Sequence, residues 1–358
     1  MKLTDSKIVT SAPGRICLFG EHQDYLGLPV IAAAISLRIS IEGEKTNDDK
    51  IIIHLPDINS IEKFPIKEEI KYEKERDYIK SSFNILKRNG FSFSKGFECT
   101  ILGKIPINAG ASSSSAMIVA WINFLTQQSD QKIILPAGKI AELAYQAEVL
   151  EFGEPGGMMD HYSTSLGGII YLNPYPDINV ENLILDLGAF VLGDSGEPKE
   201  TKNILKNVKM KIKEIVDNLV ERNTQFSLHK VEINDVEKYF SYLNKEQKEL
   251  LIGTIKNRDF TRNAYKIFTN DTFDKIEFGK LLNQHQQVLR ETLKISTNKI
   301  DNMIDAAIDA GALGAKINGS GGGGCMIAFA PDNFDKICEA IEKAGGKSYI
   351  IKIDEGVN

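Results

Sequence analysis

The chain reads as an α+β protein of two domains. Its 358 residues are more than one ordinary hydrophobic core organises, and they suit two cores packed together. Up to about residue 190, short Ile-, Val- and Phe-rich segments bounded by turn residues interleave with helical patterns. Beyond it long helical stretches take over, and strands return near the C-terminus. Each half therefore mixes helices and strands, and the expected division is 1–190 and 191–358.

The first half is expected to carry strands at 16–19, 28–41, 51–55 and 97–102. "RDYIKSSFNILKRNG" (76–90) has helical spacing and ends on Gly90, which suits the position just past a helix. "FECTILGKIPINAGASSSSAMIVAWINFL" reads as strand, loop and a helix starting at about Ala116. A further amphipathic helix spans 137–152, with Pro136 at its first turn and Gly153 beyond its end. "GGIIYL" and "ILDLGAFVLGD" return to strand. In the second half, helices are expected at 199–222, 234–244, 246–257, 274–293 and 297–311. Then come strand, glycine loop and strand in "GAKINGSGGGGCMIAFAP", a helix in "NFDKICEAIEKAGG" and a last strand in "KSYIIKI".

The composition removes several classes of function. A net charge of −6, with both signs interspersed, offers neither a basic stripe for nucleic acid nor a polybasic patch for membranes. No run of apolar residues is long enough to span a bilayer, and "MKLTDSKIVTSAPG" has no signal-peptide core. The four cysteines form no CxxC pair, and Cys17 and Cys99 read as small buried hydrophobes. A cytoplasmic protein, monomeric or weakly dimeric, is expected.

Four segments carry chemistry. In "GEHQDY" (20–25), four polar side chains stand between two apolar runs, where burial is costly unless something satisfies them. In "GKIPINAGASSSSAM", Gly110 and Ser112 to Ser115 precede a helix, whose unpaired first N–H groups and positive dipole end suit a phosphate. An N-cap with a flexible serine loop is the plainer reading, and no Lys completes a Walker A motif. "INGSGGGGCMIAF" is either a linker or a place of close backbone approach; its position between two strands favours the second. Glu148 lies near the end of its expected helix and Asp160 twelve residues on; alone, the first reads as a solvated helix residue and the second as a turn or cap.

Taken together, "APGRICLFGEHQDYLG", "IPINAGASSSSAM", "AE" (147–148) with "GGMMD", and "KINGSGGGGC" resemble the motifs of the GHMP kinases, and among these the galactokinases. Order and spacing agree from residue 12 to about 330. The resemblance implies the two-domain GHMP kinase fold: an N-terminal mixed-sheet domain, a C-terminal ferredoxin-like α+β domain, and the active site in the cleft between them. It implies ATP as co-substrate and Mg²⁺ as cofactor, with a small-molecule sugar as the other substrate. The phosphates would be held by Asn108, Ala109, Gly110, Ala111, Ser112, Ser113 and Ser114, with Gly321 and Gly322 from the third motif. Ser114 and Glu148 would ligate Mg²⁺, and the four-serine run leaves the neighbouring serine as an alternative. Asp160 would accept the acceptor's proton with Arg15 beside it, while Glu21, His22, Gln23, Asp24 and Gly157 would face the sugar.

This implies galactokinase activity, phosphorylating the anomeric hydroxyl. Two departures widen the choice of acceptor. "DSGEPKETK" is similar to a segment of the mevalonate kinase branch, and Lys316 stands where galactokinases commonly have Arg. The alternative acceptors are another sugar (arabinose, an amino or a uronic sugar) or mevalonate. Two other classes stand beside these: a metal-dependent hydrolase using His22, Asp24, Asp160 and His161, and a non-catalytic sugar sensor.

Overall fold

The computed structural model describes residues 7–106, 110–198 and 201–358. Seven strands form the first sheet: β1 (Ile8–Phe19), β2 (Val30–Lys45), β3 (Lys50–Leu55), β4 (Ser60–Pro65), β5 (Phe97–Gly103), β6 (Ile169–Asn173) and β7 (Asn179–Leu183). The order is β4-β3-β5-β2-β6-β7, with β1 against β2. The β3–β5 pair is parallel and the others antiparallel, so the sheet is mixed. Because β2 is sixteen residues long, β6 pairs with its first part and β5 with its last, while β1 runs beside both. The second sheet, β8 (Ala189–Asp194), β9 (Gly314–Asn318), β10 (Cys325–Phe329) and β11 (Lys347–Lys352), is antiparallel in the order β11-β8-β10-β9.

Helices α1 (Tyr78–Arg88), α2 (Ser113–Gln128), α3 (Ala137–Tyr145) and α4 (Met159–Leu166) accompany the first sheet. Helices α5 (Thr201–Arg222), α6 (Lys245–Thr269), α7 (Lys275–Glu291), α8 (Asn298–Asp309) and α9 (Phe334–Lys343) belong to the second half. The halves share a core: Phe19 of β1 meets Phe278 of α7 with ring centroids 5.9 Å apart, and Phe278 meets Phe329 of β10 at 4.8 Å. Truncating a ring of this kind to alanine costs about 3–5 kcal/mol. Among the described residues no helix is long and apolar enough to cross a membrane.

The architecture follows the sequence reading, with differences that have physical causes. Helix α2 begins at Ser113 rather than Ala116, so the serines form its first turn. The stretch 184–188 is not strand; β8 starts at Ala189. Strands β4 and β7 were outside the expected set, and in β7 the polar "NVENL" conceals the alternation that marks a strand. The 234–244 segment is a 3₁₀ helix, Ile233–Tyr242. Helix α6 runs past 257 to Thr269 because its polar interruption finds buried partners: Asn257 Nδ2 donates to Glu21 O at 2.8 Å, and Arg258 donates to Leu228 O at 2.6 Å.

Candidate active site

The first motif leaves β1 through a tight turn in which Gly20 and His22 both have positive φ, 101° and 61°. That turn sends its four polar side chains in two directions. His22 and Asp24 face a cavity of ≈ 320 Å³. His22 Nε2 lies 2.9 Å from Ser320 O, which only accepts, so Nε2 carries the proton; Nδ1 then accepts from the Tyr25 hydroxyl at 3.0 Å. Burial pushes His22 down to about 4, and the ring is neutral at physiological pH. Asp24 Oδ2 accepts from Met159 N and Oδ1 from Tyr25 N, each at 2.9 Å. A Cβ on Gly157 would fall on this carboxylate, so only glycine lets Asp24 lie there.

Glu21 and Gln23 turn inward. Gln23 is fully buried, and its Nε2 donates to Pro29 O at 2.8 Å and Thr261 Oγ1 at 3.2 Å. The expectation that Gln23 contacts the sugar is therefore corrected: its amide satisfies backbone and helix α6, and it does not line the cavity. Glu21 stands at the cavity wall, but its carboxylate is paired with the buried Lys316.

Helix α4, which was outside the expected set of helices, carries Asp160 in its first turn. Arg15 Nε donates to Asp160 Oδ1 at 2.7 Å, and its Nη1 donates to Gly110 O at 2.5 Å. Burial by itself would raise the Asp160 carboxyl; the charge and hydrogen bond of Arg15 outweigh it and hold Asp160 below its ordinary range. Arg15 is brought there by β1, where its N–H donates to Ala111 O at 3.1 Å. One cation therefore ties the candidate base to the serine loop.

Glu148 sits in a π-helical turn, Gln146–Leu150, that continues α3. Such turns recur at functional sites, and here the turn sets Glu148 against α4. His161 Nε2 lies 2.8 Å from Glu148 Oε2. Burial pushes Glu148 up, but the His161 bond and charge, then the Ser115 and Ser114 hydroxyls, bring it below its ordinary range. Ser114 and Ser115 both lie near the carboxylate, and both line the cavity beside Ser113. Two adjacent oxygen donors suit a hard cation that takes its remaining ligands from phosphates and water. No three His, Cys, Asp or Glu side chains among the described residues cluster to hold a metal ion. Both ring nitrogens of His22 are engaged, so the four-ligand hydrolase arrangement does not form.

The third motif supplies Gly319 and Ser320 to the cavity. Gly321 and Gly322, expected at the nucleotide, do not line this cavity: a Cβ on Gly321 would strike the Ile295 carbonyl, and Gly322 N donates to that oxygen at 2.7 Å. Asn318 joins the motifs. Its Oδ1 accepts from Cys17 N at 2.7 Å and its Nδ2 donates to Gly110 O at 3.1 Å. Asn108 and Ala109 lie outside the described residues. Asn318 is the site partner that sequence reasoning missed, a polar residue at the head of the glycine run; His161 was named only as a ligand of the alternative hydrolase and Lys316 only as a departure from the galactokinase pattern.

Residues 77–168 match the GHMP kinases N terminal domain, 270–347 match GHMP kinases C terminal, and 2–45 match the galactokinase galactose-binding signature. Mevalonate kinase of Thermococcus onnurineus (strain NA1) is 31% identical over 98% of this chain and 98% of its own. The chain belongs to the GHMP kinases. It is accordingly an ATP-dependent phosphotransferase acting on an alcohol group. This GHMP kinase is also 28% identical to galactokinase of Pyrococcus furiosus, over 98% of this chain and 99% of the relative. In fold it resembles Lactococcus lactis galactokinase complexed with galactose, with a TM-score of 0.88, 24% identity, and coverage of 99% and 95% of the two chains.

Proposed function

We propose that the protein is a galactokinase, transferring the γ-phosphoryl group of ATP to the anomeric hydroxyl of galactose to give galactose 1-phosphate and ADP. The observation that carries this reading is the Asp24 carboxylate seated over Gly157, in the same cavity as the Asp160–Arg15 pair. A pyranose offers several hydroxyl donors, and carboxylates in a recessed site accept them. The match of residues 2–45 to the galactose-binding signature supports the same acceptor.

In this mechanism Asp160, kept ionised by Arg15, accepts the proton of the anomeric hydroxyl as its oxygen attacks the γ-phosphorus. The bond to the bridging oxygen breaks and ADP leaves. Arg15 stabilises charge on the transferring group, and the first-turn N–H groups of α2 with the 108–114 loop hold the phosphates. Ser114 and Glu148 would hold Mg²⁺, which when bound neutralises charge on the β- and γ-phosphates.

Mevalonate is the second reading, favoured by the 31% identity to mevalonate kinase and by "DSGEPKETK". Its carboxylate would enter a cavity already lined by Asp24, Asp160 and Glu148. The neighbouring cations are engaged, Arg15 with Asp160, and Arg76 with Glu154 through bonds of 2.9 and 2.8 Å. This weighs toward a neutral acceptor. The test is ADP release from Mg·ATP against galactose, arabinose, amino and uronic sugars and mevalonate, with a no-acceptor control. Turnover on galactose alone is expected. Turnover on mevalonate replaces the proposal, and no turnover on any acceptor leaves a sugar sensor.

A further inference from the structure

Helix α5 sends its lysines to different places. Lys211 and Lys213 are exposed and pair with Glu246 and Asp217 at 2.7 and 2.6 Å. Lys209 is half-buried and reaches the first half of the chain. Its Nζ donates to Pro155 O at 3.1 Å and lies 5.2 Å from the centroid of the Tyr25 ring. Both partners line the cavity, and each adjoins a group already placed in the site. The Tyr25 hydroxyl donates to His22 Nδ1, and two residues after Pro155 comes Gly157, beneath the Asp24 carboxylate. The stretch Pro155-Gly156-Gly157 is weakly constrained by itself, since neither glycine offers a side chain. It is fixed from its flanks: Arg76 binds Glu154, Lys209 binds Pro155 O, and Asp24 takes Met159 N. Burial lowers Lys209 from its ordinary value and the Asp24 charge opposes this, so the ammonium stands within electrostatic reach of that carboxylate.

We infer that Lys209 is a positioning residue of the acceptor site: it ties α5 to Tyr25 and Pro155, and so holds the turn after β1 and the 155–157 stretch at the spacing that seats His22 and Asp24. This rests on the reading that the cavity holds the acceptor. Lys209 does not itself line the cavity, so its effect passes through these two partners. Both contacts use the cation or its N–H groups, which separates the residues that can replace it. Arginine keeps a cation for the ring and donors for the carbonyl, glutamine keeps only a donor, and methionine keeps only the apolar stem.

The experiment compares Lys209→Met, Lys209→Gln and Lys209→Arg with wild type, on whichever acceptor turns over in the panel above. Lys209→Met is expected to raise the acceptor KM roughly tenfold, with kcat within about threefold and the ATP KM unchanged. Lys209→Arg is expected to restore most of that loss. An acceptor KM in Lys209→Met equal to that of wild type would overturn the assignment, whether or not Tm falls. A defect confined to acceptors that carry a carboxylate, with neutral acceptors unaffected, would overturn it too, since it marks Lys209 as a direct counter-ion of the acceptor. If Lys209→Met does not fold, Lys209→Gln takes its place in each comparison. Amide hydrogen exchange over residues 22–28 and 153–159 needs no acceptor: faster exchange at both segments in Lys209→Met is expected. Unchanged protection overturns the assignment even if the galactose reading has failed. Should mevalonate prove to be the acceptor, this measurement decides between a wall held in place and a direct ion pair.

Discussion

Asp24 and Asp160 share one cavity and are both half-buried in its wall, yet their carboxyl groups move in opposite directions. Asp24 is raised: burial dominates, the nearby Asp160 charge adds to it, and bonds from Met159 and Tyr25 offset only part. Asp160 is lowered because Arg15 stands against it. The residue type is the same and one guanidinium makes the difference. Two carboxylates pushed apart in this way suit two tasks, proton acceptor and hydroxyl anchor.

Removing the acceptor itself has the largest expected effect. Asp160→Asn is expected to cut turnover by roughly 10²–10⁴-fold or abolish it, with ATP binding retained in a nucleotide titration. Near-normal turnover would take Asp160 out of its role. Arg15→Met comes next and erases the asymmetry: kcat should fall by about 10²–10³-fold. The acidic limb of the pH–rate profile should move upward as Asp160 loses its cation.

Asp24→Ala acts on binding, raising the acceptor KM about 10- to 100-fold while sparing the ATP KM. Gly157→Ala should shift the same constant by displacing the Asp24 carboxylate; an unchanged acceptor KM in both variants would mean that the "EHQD" turn does not face the acceptor.

The smallest effect is the most direct readout of the comparison. A lowered folded-state pKa gives stability that is lost as pH falls, so wild type should lose Tm relative to Asp160→Asn on acidification through the ordinary carboxylate range and below. A raised pKa works the other way. Wild type should lose Tm relative to Asp24→Asn as pH rises from the ordinary carboxylate range through the raised value. Slopes of the same sign would contradict the assignment of the two environments.

Much of the site was legible before folding was considered. The serine run before an apolar helix, the glycine run between two strands, and the spacing of Glu148 and Asp160 are local patterns that phosphate-binding and carboxylate chemistry require. The direction of each side chain was not legible. In the "EHQD" turn, neither sequence nor spacing separates Glu21, His22 and Asp24, which line the cavity, from Gln23, which is taken by Pro29 and Thr261. The third motif shows the same limit: six Gly and Ser residues look alike, and only Ile295 packed behind them decides that Gly319 and Ser320 face inward.

The sequence by itself determined the two-half α+β architecture, most element positions and the residue types gathered at the site, because helix and strand periodicity and loop chemistry are set over short stretches. Tertiary structure alone decided that α6 continues through Asn257 and Arg258, that Glu148 rides on a π-helical turn against His161, and that Lys316 is spent on Glu21. Those choices depend on partners outside the local stretch of sequence, where buried polar groups find their bonds.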